Sequence, residues 1–291
     1  MHTREWALVA FTLLMQLSVG TLLVVAAVPL LAGRATHPPA RAYDLSLLFA
    51  AVAAAIALVV SLLHLGQPAQ AWMSLLNFRG SWLSREIAAS VLFTVATGTV
   101  VLLRRQGGDA RSAAFVAALL GTVAVYAMSR LYMVPAQPAW DRVLTPVSFF
   151  ACALLLGAVL LLTTPVVAAR MGTGVFGGAM LDPAVARQLA FLAMLLLVAQ
   201  GGLTVLYILG LPGEPAAAIS AASLGQTATW LAAARIGTAI VALVLVRVLA
   251  IPAPGTPAAI PLAVTTFACV AASELIGRVL FYAGSVSLNP L

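Results

Sequence analysis

The chain has 291 residues, of which 63% are hydrophobic and 8% are charged. Soluble domains carry about 25% charged residues, so this composition excludes an ordinary soluble domain and indicates an integral membrane protein. The net charge of +7 comes from arginines scattered along the sequence, with no basic cluster of the kind that binds nucleic acid. The two cysteines, Cys152 and Cys269, are too few for an iron–sulfur cluster, which takes about four thiolates. Both are expected to be buried by packing.

Eight apolar runs are long enough to cross a membrane as helices, since a crossing takes about 20 residues. In order along the sequence the predicted spans are 6–32, 45–65, 83–103, 112–131, 144–169, 186–210, 228–249 and 258–283. The first run exceeds the core of a signal peptide, roughly 7–15 residues, and is expected to remain as a helix. The sequence therefore predicts an all-α, multi-pass membrane protein: an eight-helix transmembrane bundle, in one domain over residues 1–291.

Arginines in the segments between the spans predict the orientation, because short cytoplasmic loops collect positive charge. One side holds eight arginines and the other holds five. The larger group comprises Arg34, Arg41, Arg104, Arg105, Arg111, Arg170, Arg187 and Arg247, and the smaller one Arg4, Arg79, Arg85, Arg130 and Arg142. The side with eight is predicted to be cytoplasmic, which places both termini on the periplasmic side.

Seven charged or titratable side chains lie within the spans or at their ends, and all of them fall toward the predicted outer face. They are His64, Arg85, Glu86, Arg130, Arg235, Glu274 and Arg278. Charges at membrane depth are costly and usually face a bundle interior or a wet cavity. This grouping indicates a pocket near the outer face.

Structural roles remain open for several of these side chains. Glu274 and Arg278 are four residues apart, so they share a helix face and can neutralise each other, with Arg235 as a second possible partner. Arg85 and Arg130 can extend to the membrane interface. The glutamines in mid-span, Gln16 and Gln200, are expected to bridge helices rather than bind a ligand.

His64 is the one histidine inside a predicted span, and Glu86 follows it at the start of the next span. A single histidine cannot hold a bis-histidine haem, and no metal site is expected. Histidine titrates near neutrality. Together with a partly buried acid, it can accept the two protons that are released when a quinol is oxidised. Candidate apolar walls for the quinol ring are Leu65, Trp72, Phe78 and Trp82. Nothing in the sequence stores electrons, so a partner is expected on the outer face.

The sequence resembles the membrane-anchor subunits of bacterial DMSO reductases, the haem-free, eight-helix anchors of molybdenum enzymes. The resemblance runs nearly from end to end. It is carried by Glu5-Trp6 with Phe11-Thr12 and Gln16, by Leu63-His64-Leu65-Gly66 with Pro68, by Ser84, Glu86-Ile-Ala and Ser90, by Arg130 with Tyr132, by Trp140, Thr145-Pro146 and Phe149-Phe150, by Arg235, and by Glu274-Leu-Ile-Gly-Arg278 with Phe281-Tyr282.

This resemblance implies a role in anaerobic respiration at the bacterial inner membrane. It implies menaquinol as the bound quinol, and an iron–sulfur subunit and a molybdopterin catalytic subunit as partners. His64 and Glu86 match the family's quinol-site residues and are expected to accept the protons. The expected quinol-binding residues are His64, Gly66, Gln70, Trp72, Arg79, Trp82 and Glu86, and those that support the pocket or the docking surface are Arg130, Tyr132, Arg235, Glu274 and Arg278. Gln70 departs from the basic residue expected after the loop proline.

Three other functions remain open at this point. An anchor of the same family can deliver electrons to quinone for a sulfite-type dehydrogenase, because the partner's redox potentials set the direction. A small-solute transporter would show broken helices and paired repeats, and neither is evident. A purely structural anchor would not need both His64 and Glu86.

Overall fold

The computed structural model describes residues 3–31, 40–62, 73, 77–135, 137, 139–169, 180–210, 215–250 and 259–284. Its main elements are eight long helices and one short 3₁₀ turn at Ala40–Tyr43. The helices are α1 (Thr3–Leu31), α2 (Asp44–Leu62), α3 (Trp82–Arg105), α4 (Arg111–Tyr132), α5 (Leu144–Ala168), α6 (Pro183–Gly210), α7 (Pro215–Leu249) and α8 (Ala259–Ala283). Each contains a stretch long and apolar enough to cross a membrane. For the part of the sequence that the structure describes, the prediction of an all-helical protein with eight membrane-length helices is confirmed.

The helix ends match the predicted spans to within about one helical turn, except at α7. Helical structure there begins at Pro215, well before the expected start at 228. Proline is tolerated in the first turn of a helix, so this residue begins a helix instead of separating two. A kink at Gly225, with φ of 47° and ψ of −134°, divides α7, and the membrane-length part is Gly225–Leu249. Glycine adopts such a positive φ without steric cost.

The helices form two groups of four. In the first bundle, α1 to α4, each helix packs against its neighbours in the order α1, α2, α3, α4 and back to α1. In the second bundle, α5 to α8, the contacts follow the same closed order. The two bundles are joined most extensively along α1 and α5. Each bundle therefore has an interior of its own, and the α1–α5 seam lies between the two interiors.

Glycines let the α1–α5 seam close. A Cβ placed on Gly20 of α1 would overlap the backbone of Ala153 on α5, and one placed on Gly157 would overlap the backbone of Gly20. Helices in a membrane associate through close packing at small residues, because lipid provides no hydrophobic driving force between them. The backbones of α1 and α5 thus touch at the centre of the protein.

Polar contacts fix the end of the protein at which α2 begins and α3 ends. Arg104 donates two hydrogen bonds to Asp44 Oδ1, at 2.8 and 2.6 Å. Nearby, the hydroxyls of Ser46 and Thr164 form a short hydrogen bond that joins α2 to α5. Because Asp44 starts its helix and Arg104 lies near the end of its own, α2 and α3 are antiparallel.

Candidate functional site

Glu86 is buried in the second turn of α3, with 4% of its surface exposed. We call this end of the protein, where α3 begins and α4 and α8 end, the site end. No hydrogen bond or ion pair joins the carboxylate to another described residue. It lies within electrostatic range of two phenols, Tyr132 on α4 and Tyr282 on α8. A buried acid without a fixed partner is unusual and marks a candidate functional position.

The two tyrosines connect the bundles. The hydroxyl oxygens of Tyr132 and Tyr282 are 2.5 Å apart, and either can donate. The Tyr282 side chain also lies close to the Thr12 side chain of α1. Since Tyr132 belongs to the first bundle and Tyr282 to the second, their hydrogen bond joins the site ends of α4 and α8.

Aromatic rings surround the tyrosine pair. The Tyr132 ring lies 5.3 Å from Trp140 and 5.7 Å from Phe149, centroid to centroid. Trp140 stacks on Phe281 at 5.2 Å, and its indole N–H donates to the Phe281 carbonyl oxygen at 2.8 Å. These rings pack between the two bundles at the site end, and both tyrosine side chains are buried there.

Arg278 of α8 reaches toward the first bundle. Its Nη2 donates to Gln16 Oε1 on α1 at 2.7 Å, and its guanidinium carbon lies 3.9 Å from the centroid of the Phe149 ring. Of the two partners that the sequence allowed for Glu274, the described residues pair it with Arg235 of α7 and not with Arg278. The reason is that Glu274 points to the neighbouring helix instead. Gln16 bridges helices as predicted.

Glu274 forms its ion pair with Arg235 of α7, at 3.3 Å between Nη2 and Oε1. Gln200 of α6 donates to Glu274 Oε2 at 2.9 Å and to the carbonyl oxygen of Ser148 on α5 at 3.2 Å. Arg235 Nη1 donates to the hydroxyl of Thr204 at 2.8 Å. The network therefore joins all four helices of the second bundle, and Gln200 bridges helices as expected.

A cavity of about 60 Å³ lies inside the second bundle beside this network. Apart from Ala139 and Arg142, which precede α5, its lining comes from the four helices of that bundle. Polar or charged lining side chains are Arg142, Thr145, Ser148, Cys152, Gln200, Thr204, Tyr207, Arg235, Glu274 and Arg278. Sequence reasoning identified Arg235, Glu274 and Arg278 but missed most of the others. The spacing of Gln200 and Thr204, one helical turn apart, was the available signal.

Arg85 and Arg130 lie at the periphery of the site end. The guanidinium carbons of both face the ring of Trp82, at 4.4 Å for Arg85 and 5.4 Å for Arg130. Arg85 also donates to the carbonyl oxygens of Phe78 and Arg79, at 3.1 and 2.6 Å. These contacts agree with the interpretation from the sequence that Arg85 and Arg130 extend to the membrane interface.

Four of the predicted quinol-binding residues, His64, Gly66, Gln70 and Trp72, lie outside the described residues. Their relation to Glu86 stays a prediction. Of the others, Arg79 is exposed and Trp82 is partly buried. Cys152 is buried, whereas Cys269 is only partly so, and both are free thiols. The described residues contain no group of three or more side chains suited to hold a metal ion.

Most of the sequence is similar to known proteins. It matches the family model described as DMSO reductase anchor subunit (DmsC) over residues 1–284. The C subunit of the anaerobic dimethyl sulfoxide reductase of Escherichia coli K12 is 31% identical over 292 residues, which cover 96% of this protein and 94% of that subunit. Shorter alignments span just over half of two other relatives. The corresponding C subunit of Haemophilus influenzae Rd is 33% identical over 54% of this protein and 57% of that subunit. The anaerobic dimethyl sulfoxide reductase subunit YnfH of E. coli K12 is 31% identical over 54% of this protein and 56% of that subunit. The protein therefore belongs to the DMSO reductase anchor subunit family.

Proposed function

We propose that this protein is the haem-free membrane anchor of a DMSO-reductase-type molybdoenzyme complex, and that it oxidises menaquinol at its site end during anaerobic respiration. The observation that supports this most directly is Glu86. It is a buried carboxylate with no hydrogen-bond partner among the described residues, near the start of the first long helix after His64 in the sequence. Membership of the anchor family supports the role in a reductase complex.

Oxidation of a quinol to a quinone releases two electrons and two protons, so the site needs proton acceptors. A general base works from within hydrogen-bond reach of the proton that it removes. Glu86 has no competing partner among the described residues, which leaves its oxygens free to accept from a quinol hydroxyl. His64 is the proposed second acceptor.

The surroundings of Glu86 suit an aromatic substrate. Trp82 lies one helical turn before Glu86 on α3, and its ring packs edge-on against Tyr126 at 5.8 Å between centroids. The guanidinium groups of Arg85 and Arg130 fix the orientation of the same ring. A quinol that enters from the bilayer beside α2 and α3 would meet this indole before it reaches the carboxylate.

Electrons leave the site to an iron–sulfur subunit that docks at the site end, and then pass to a molybdopterin subunit. The arginine distribution supports a periplasmic position for the site end, and family membership supports the inner membrane of a bacterium. If quinol oxidation and substrate reduction both occur on that side, protons are released and consumed there. Net charge separation across the membrane is then small.

The test is quinol oxidation by membranes that carry the whole complex with Glu86→Gln or His64→Arg. Loss of a general base slows the reaction by about 10²–10⁴-fold, and we expect a loss in this range for Glu86→Gln. Asp141→Asn is the matched control, because this acid is exposed at the same end.

Assembly is measured separately, as reductase activity with a soluble electron donor that bypasses the anchor. The proposal predicts that both variants keep this activity while quinol oxidation falls. Normal quinol oxidation by assembled Glu86→Gln and His64→Arg complexes would show that the site is wrong.

A further inference from the structure

The cavity of the second bundle contains three polar atoms without a hydrogen-bond partner in the described structure. They are Nε of Arg235, Oε1 of Gln200 and the hydroxyl of Tyr207. Gln200 is 2% exposed and Arg235 is 9% exposed, so bulk water does not solvate them well. A buried polar atom without a partner destabilises the folded state. Three such atoms around one cavity indicate that something else occupies it.

The cavity also has an excess of positive charge. The guanidinium groups of Arg235 and Arg278 both line it, and among the lining residues the single carboxylate is that of Glu274. That carboxylate already accepts from Arg235 and Gln200. Arg278 has a neutral amide and an aromatic ring as its described contacts. Buried charges are normally paired, so this cavity favours an anion.

The unpartnered atoms define what kind of anion fits. Arg235 Nε is a donor and needs an acceptor, whereas Gln200 Oε1 is an acceptor and needs a donor. The assignment of the Gln200 amide is fixed, because its Nε2 faces the Ser148 carbonyl and the Glu274 carboxylate, which are both acceptors. Chloride and nitrate offer no donor. Water offers both, but it leaves the charge uncompensated.

We propose that the cavity binds a small oxyanion that still carries a proton, of the bicarbonate class. Its charged oxygens accept from Arg235 and Arg278, and its hydroxyl donates to Gln200 Oε1. Tyr207 lies about two helical turns nearer the site end than Gln200 on the same helix, and its unpartnered hydroxyl, which lines the same cavity, is the proposed third donor to the anion. This site is separate from the proposed quinol site, since it lies in the second bundle.

Bicarbonate and nitrate form a matched pair of probes, because both are planar monovalent anions of similar size and bicarbonate alone carries a proton. The measurement is the thermal unfolding midpoint of the purified complex in buffer freed of carbon dioxide, as each anion is added. A ligand that binds only the folded state raises this midpoint. We expect bicarbonate to raise it and nitrate to have little effect. Equal shifts from both anions, or no shift from either, would overturn the proposal.

Tyr207→Phe locates the effect without disturbing the fold, because the deleted hydroxyl has no partner among the described residues. One hydrogen bond is worth about 1 kcal/mol, so the half-saturating bicarbonate concentration should rise about 5-fold. Tyr43→Phe is the matched control, since its hydroxyl is equally unpartnered in the described structure but lies outside the cavity. Arg278→Gln should abolish the bicarbonate shift.

The Tyr207→Phe result decides the question even if Arg278→Gln does not assemble. A bicarbonate shift in Tyr207→Phe with the wild-type concentration dependence would place the binding elsewhere in the complex. A rise in the half-saturating bicarbonate concentration in Tyr43→Phe as large as that in Tyr207→Phe would lead to the same conclusion.

Discussion

The guanidinium of Arg235 lies against the backbone of Gly277, where a side chain on the facing helix would otherwise stand. A Cβ on Gly277 would overlap Cζ, Nε and Nη1 of this arginine. Glycine at this position therefore lets α7 bring a long cation into contact with α8, next to Glu274. A side chain larger than the hydrogen of Gly277 would therefore interfere with the ion pair between Arg235 and Glu274.

Gly277→Ala should accordingly displace Arg235 and weaken its pair with Glu274. We expect a lower thermal unfolding midpoint and less assembled complex in the membrane. Gly237→Ala on α7 is the control, because a Cβ there meets nothing within 4 Å. Alanine also favours a helix over glycine by roughly 1 kcal/mol, so the control should be neutral or slightly stabilising. Equal stability of the two variants would contradict this account of Gly277.

Breaking the Arg235–Glu274 pair from one side should cost more than removing it entirely. Glu274→Gln leaves the buried Arg235 without its counter-charge, and such a change costs about 3–5 kcal/mol. The double variant Arg235→Met with Glu274→Gln removes both charges, so we expect it to be more stable than Glu274→Gln alone. Unfolding of the purified complex in detergent measures this difference. Additive losses in the double variant would show that the two charges do not compensate each other.

The Asp44–Arg104 pair at the opposite end provides the comparison. Its side chains are about one-fifth exposed, at 19% and 21%. Water and ions screen such a pair, whose contribution is on the order of 1 kcal/mol or less. Asp44→Asn should therefore lower stability much less than Glu274→Gln. A larger loss of stability from Asp44→Asn than from Glu274→Gln would show that the more exposed ion pair contributes more.

The fold was predictable because it depends on the length of apolar runs. Eight such runs correspond to eight helices, and the exception is the early start of α7, because a proline such as Pro215 can separate two spans or begin a helix. The sequence also marked Arg235 and Glu274 as charges within the spans, and both are buried. Their pairing did not follow from the sequence, since spacing within α8 favoured Arg278 and only the rotation of α7 against α8 selects Arg235.

The tyrosine pair shows the limit of such reasoning more clearly. Tyr132 and Tyr282 are 150 residues apart and belong to different bundles, so their contact depends on how the bundles dock. No local pattern encodes that docking. Cys152 likewise reads as an ordinary core residue, and its position on the cavity becomes apparent only from the packing of α5 against α8.

The hydrogen bond between these tyrosines should respond asymmetrically to deletion of either hydroxyl. Tyr282→Phe leaves the Tyr132 hydroxyl buried without another described partner, which costs about 1–3 kcal/mol. Tyr132→Phe leaves the Tyr282 hydroxyl close to the Thr12 side chain, whose oxygen can accept from it, so its cost should be smaller. Thermal unfolding of the complex with each variant tests this order. Equal losses, or a larger loss in Tyr132→Phe, would mean that Thr12 does not hold Tyr282.

The α1–α5 seam should tolerate no side chain at its glycines. Gly20→Ala would force a methyl group into the backbone of Ala153, and helices that are already in backbone contact cannot move apart without opening the junction of the two bundles. We expect the variant to fail to accumulate in the membrane. Gly98→Ala on α3 meets nothing within 4 Å and should accumulate normally. Normal levels of a stable Gly20→Ala protein would mean that the two bundles can dock without this contact, and the tyrosine pair and Arg278 would then carry the junction.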